Sequence, residues 1–99
     1  MFGLHEMPRE GRRLVIRNAM RIARQSVILV DIWPGFEPTA MMLSGEPYIK
    51  DYLSNVEEDV DATAELGDGT PDEWIVRRVD VVDEHVRMWR LERKSYWGI

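Results

Sequence analysis

Apolar residues early in the chain recur every three or four positions. Val15, Ile16, Ala19, Met20, Ile22 and Ala23 follow this rhythm, and the arginines fall mostly outside it. The period predicts an amphipathic helix over residues 9–23, with Pro8 in its first turn, where a missing N–H costs nothing. The rhythm then stops. Ser26-Val27-Ile28-Leu29-Val30-Asp31-Ile32 is rich in β-branched residues, too short for a buried helix and without polar alternation. It predicts a strand covered on both faces, as in a parallel sheet with helices on either side. Pro34 and Gly35 end it.

Residues 33–45 contain Pro34 and Pro38, yet Phe36, Met41, Met42 and Leu43 are too apolar for an exposed loop. A loop with one helical turn over residues 39–43, packed over a neighbour, is expected. With Pro47 again in a first turn, Ile49, Tyr52, Leu53, Val56, Val60 and Ala64 mark a second amphipathic helix. It should end near Leu66, with Gly67 as the residue after it. Asp68-Gly69-Thr70-Pro71 is turn chemistry. Beyond it the period becomes two: Ile75, Val79 and Val81 alternate with Arg78 and Asp80. Past Asp83-Glu84-His85, Val86, Met88 and Arg90 face one way and Trp89 and Leu91 the other. A hairpin of residues 74–82 and 86–93 follows. The order helix, strand, helix, hairpin predicts an α/β fold, its helices packed on a mixed sheet, as one domain over residues 1–99.

Composition then removes whole classes of chemistry. At 99 residues, 44% of them hydrophobic, the chain supports one modest core. It has no cysteine, which excludes disulfides, thiolate metal sites and thiol catalysis. His5 and His85 stand near opposite ends of the chain, so no metal site is expected. No apolar run approaches membrane-spanning length and no secretory leader is legible, so a cytoplasmic home without a membrane partner is expected. A net charge of −5 argues against nucleic-acid binding.

The distribution of charge says more than its total. Arg9, Arg12, Arg13, Arg17, Arg21 and Arg24 crowd the first helix, with Glu10 alone against them. Glu57, Glu58, Asp59, Asp61, Glu65, Asp68 and Asp72 crowd the later part. Both sets are expected to be solvated helix faces, or faces turned toward each other. The run Glu57-Glu58-Asp59-x-Asp61 lacks a calcium loop's glycine and spacing and reads as solvated helix.

Phe2-Gly3-Leu4-His5-Glu6-Met7-Pro8, the arginine-rich helix and a strand ending Ile28-Leu29-Val30-Asp31 together resemble the second half of class I S-adenosylmethionine-dependent methyltransferases. In that family a fourth strand ends in a motif of the type Phe-x-Leu-His-Glu/His-x-Pro. A helix, a fifth strand ending Val-Asp, a long helix and a terminal strand hairpin follow. The resemblance covers essentially the whole chain and implies a partial Rossmann-like sheet. It implies S-adenosylmethionine as cofactor and a small-molecule acceptor. The family's Gly-rich cofactor loop has no counterpart, since no G-x-G pattern occurs. A fragment or split protein, inactive until an N-terminal half, a second copy or a complementing chain completes it, is therefore expected.

The resemblance also assigns roles. His5 and Glu6 fall beside the reacting methyl group, His5 as general base and Glu6 as a substrate contact or a helix-start charge. Gly3 and Leu4 fall at the cofactor. Trp33, Phe36, Met41, Met42 and Tyr48 would form an apolar lid over the acceptor, unless, with Tyr52, they are ordinary core. Asp31 is expected to hydrogen-bond loop backbone, and Trp89 and Trp97 to be structural. The competing reading is a non-catalytic α/β interaction or self-associating domain, with the edge of the residue 26–32 strand as its adhesive surface.

Overall fold

The periodicities become helices and strands at nearly the expected boundaries. A computed structural model describes residues 3–94. It comprises a 3-10 turn (Leu4–Glu6), α1 (Arg9–Ile22), β1 (Ser26–Ile32), α2 (Ala40–Gly45), α3 (Ile49–Leu66), β2 (Trp74–Val82) and β3 (Val86–Arg93). Pro8 and Pro47 stand just outside their helices rather than within the first turns: Pro8 is the N-cap of α1, and Tyr48 is that of α3. Thr39 caps α2, its hydroxyl accepting the Met42 N–H at 3.2 Å. Gly67 ends α3 at φ 75°, ψ −169°, a region open essentially to glycine alone. Trp97 lies outside the described residues. No helix among the described residues is long and apolar enough to cross a membrane.

The sheet departs from expectation. Its order is β1–β3–β2 and both pairings are antiparallel, so it is not mixed. β1 and β2 run the same way, but the returning strand of the hairpin lies between them. Register then selects the buried face. Leu29 stands opposite Trp89, and Val76 opposite Leu91. With Val27 and Trp74 these residues meet Ile16 and Met20 of α1 and Ile49, Tyr52, Val56, Val60 and Ala64 of α3.

The opposite face is bare. Ile28 is 57% exposed, Val30 59% and Val79 50%. β1 is thus covered on one face, not two, because both long helices lie on the same side. Of the alternating set of β2, Ile75 and Val79 share the bare face, and Val81 falls in an irregularity between Asp80 and Val82. The buried stripe of α1 is narrower than its period implied. It consists of Arg12, Ile16 and Met20, leaving Ile22 exposed.

The two charged segments turn partly toward each other, while Arg17, Arg21, Arg24, Glu58, Asp61 and Glu65 remain exposed. Arg12 and Asp59 are wholly buried, so this stretch is not a solvated face. Arg12 donates to Asp59 at 2.7 Å, to the Met7 carbonyl at 2.8 Å and to Asp51 at 2.6 Å. Arg9 and Arg13 add 3.0 and 2.8 Å bonds to the other Asp59 oxygen. Burying an ion pair is tolerable only when its remaining donors and acceptors are also met, as here. The hydrogen bond from Arg12 holds the Asp51 carboxyl below its usual ionisation range. Glu57 is also engaged, accepting from Arg78, Arg87 and Trp89. Across the molecule Arg93 performs a similar closure. It donates to the Met20 and Ala23 carbonyls, to Asp68 and to Asp72, and lies over the Trp74 ring.

Candidate functional site

The motif before α1 and the end of β1 are distant in sequence but meet in space. Asp31, the penultimate residue of β1, has a carboxylate only 5% exposed. Its Oδ1 accepts the Ile32 N–H at 2.8 Å and contacts His5 Nδ1 at 2.7 Å, while Oδ2 accepts the His5 backbone N–H at 3.3 Å. An ionised carboxylate can only accept, so Nδ1 donates to Asp31 and Nε2 is the ring nitrogen left to face the cleft. Gly3 permits this approach: a Cβ there would stand 2.9 Å from the His5 ring and 3.1 Å from Asp31 Oδ2.

Beneath the imidazole lies Tyr52, edge-on with ring centroids 6.1 Å apart. Its hydroxyl donates to the Ile32 carbonyl, and burial raises its ionisation far above a phenol's usual value. It is a fixed neutral donor that ties α3 to the end of β1. Above the ring, Nε2 faces Glu46 Oε1 at 3.4 Å. His5, Glu6, Gly45, Glu46, Pro47 and Tyr48 line a cleft of about 280 Å³ there. Glu6 is exposed, and its carboxylate accepts the Gly3 N–H at 2.9 Å.

Of the positions singled out in the sequence, His5, Glu6 and Tyr48 share this cleft, with Gly3 at its flank. Leu4 is buried in the core. Trp33 and Phe36 lie elsewhere. The Trp33 N–H donates to the His85 carbonyl at 2.9 Å, and the Phe36 ring tilts over the His85 ring at 6.3 Å. They hold the loop after β1 onto the hairpin turn. Met42 packs against the core, whereas Met41 is 83% exposed. No closed apolar lid is formed by this set. Sequence reasoning gave Asp31 a backbone role, which it has, but missed its bond to the imidazole. Glu46 carried no signal, because only the fold brings it to His5.

A larger, shallower hollow of about 710 Å³ lies along the end of α3 and the start of β2. Its basic group, Arg78, is already bonded to Glu57 and Asp61, and no histidine lines it. Asp61, Glu65, Asp72 and Glu73 line it, whereas His5 stands with Glu6 and Glu46 in the smaller cleft. No protein-family model, curated protein or solved structure matches the chain.

Proposed function

We propose that the chain is the C-terminal portion of a cytoplasmic methyltransferase of the S-adenosylmethionine-dependent kind. In its complete form it moves a methyl group to a small-molecule acceptor by direct displacement. One observation carries the reading: the two segments on which the resemblance rests converge at the carboxyl end of β1. His5 of the first meets Asp31 of the second at 2.7 Å. In the parallel sheet of the proposed family, ligands gather at that end of the strands. The element order agrees as well, from the motif through α1, β1 and α3 to the terminal hairpin.

The described residues of this chain do not by themselves form a cofactor pocket. Leu4 is buried, the space at Gly3 is taken by His5 and Asp31, and no Gly-rich turn joins a strand to a helix. S-adenosylmethionine would need a complementing N-terminal portion. This chain contributes on the acceptor side: Asp31 orients the imidazole, and Nε2 receives a proton from an acceptor hydroxyl or amine in the cleft beside Tyr48. Such a positioned base is worth roughly 10²–10⁴-fold in rate. The bare sheet face, with Ile28, Val30 and Val79, is the surface that a complementing portion or a second copy would cover. The same face favours the second reading, a non-catalytic interaction domain.

The coding DNA upstream of Met1 separates the two readings. An in-frame strand–G-x-G–helix segment supports the methyltransferase, and its absence leaves the interaction domain.

A further inference from the structure

We propose that His5, Glu46 and Glu6 form a site for one divalent first-row metal ion, with zinc the best match. Their ligand atoms lie within 4.8 Å of one another although the fold draws them from two separate segments. Asp31 engages Nδ1, so the ring nitrogen that faces Glu46 Oε1 is Nε2, at 3.4 Å, longer than the usual 2.7–3.2 Å of a hydrogen bond. Two zinc bonds of about 2.0–2.1 Å meeting at the tetrahedral angle hold their donor atoms about 3.3–3.4 Å apart.

The surroundings fit. A histidine that ligates a metal commonly donates its other ring N–H to a carboxylate, which fixes the tautomer and raises ligand basicity. Asp31 stands in that position, buried and satisfied by three donors. Glu6 is exposed, and its carboxylate, which also accepts the Gly3 N–H, has an oxygen within 4.8 Å of the other two ligand atoms. Three protein ligands leave one position open toward the cleft beside Tyr48, the pattern of a zinc ion that binds substrate or water. An acceptor oxygen there would lose its proton more readily through ligation. A metal on Nε2 takes the place of the proton that His5 would otherwise accept. Binding is read on the chain itself, so this inference stands apart from the methyl-transfer reading.

Calorimetric titration of zinc chloride into the chain at neutral pH tests it, with Glu46→Gln and His85→Ala as variants. Glu46 is partly exposed, so its isosteric replacement leaves the fold intact. The expected result is one ion per chain, bound at least about tenfold more weakly by Glu46→Gln and equally by His85→Ala. No saturable binding below about 0.1 mM zinc, binding unchanged in Glu46→Gln, or binding lost in His85→Ala overturns the proposal.

Discussion

His5 illustrates how a single side chain acquires a role from its partner. Neither the ring nor its position before a helix sets its orientation; the buried Asp31 does, by engaging Nδ1. Nitrogen-resolved NMR of the histidine ring should show the Nδ1–H tautomer, and Asp31→Asn should shift the population toward Nε2–H. An Nε2–H ring in the unsubstituted chain would remove the basis of the site. Asp68 is a second residue fixed by its partners. Burial alone would raise its carboxyl, but bonds from Thr70 and Arg93 prevail and hold it down to about 2. A carboxyl depressed on folding stabilises the protein above its unfolded value. That stability is lost as pH falls through the folded one. Urea midpoints should therefore drop between about pH 4 and pH 2, and Asp68→Asn should flatten this decline.

Among the elements, α1 and α3 depend on a charge cluster that a solvated-face reading overlooks. Asp59→Ala leaves Arg12 buried without its main partner, and a loss of about 3–5 kcal/mol is expected in denaturant unfolding. A loss below about 1 kcal/mol would place the strength of this contact in Ile16, Met20 and Val56 instead. Element boundaries were legible in the sequence because local rules set them. Examples are the four-residue rhythm from Ile49 to Ala64, the glycine at 67 and the two-residue period from Ile75 onward. The pairing of those elements was not. Residues 26–32 are apolar at nearly every position, so composition cannot say which face is buried. The side chosen by α1 and α3 decides that, and it lies outside the strand. The alternation of Ile75 and Val79 is silent for the same reason, since it reveals two faces without telling which one meets the helices. The site was half legible: His5 and Glu6 came from a contiguous motif, whereas the pairing with Asp31 spans 26 positions and Glu46 joins only through the turn before α3.

Across the whole molecule, the core is one-sided. Long helices cover one face of the sheet, and branched side chains stand exposed on the other. Soluble monomers seldom leave a large contiguous apolar patch uncovered. Light scattering across a dilution series should show association of the isolated chain. Ile28→Lys with Val30→Lys should restore a monomer without loss of helical signal, because both side chains point away from the core. A clean monomer at all concentrations would count against both a complementing partner and self-association.

In the proposed methyl-transfer protein, this chain carries the acceptor side of the site and only a margin of the cofactor side. Calorimetry with S-adenosylhomocysteine tests it most directly, comparing the 99-residue chain with the same chain extended by its upstream coding sequence. The 99-residue chain should show no micromolar binding, and the extended protein one micromolar site. Micromolar binding by the chain alone, or none by the extended protein, would contradict it.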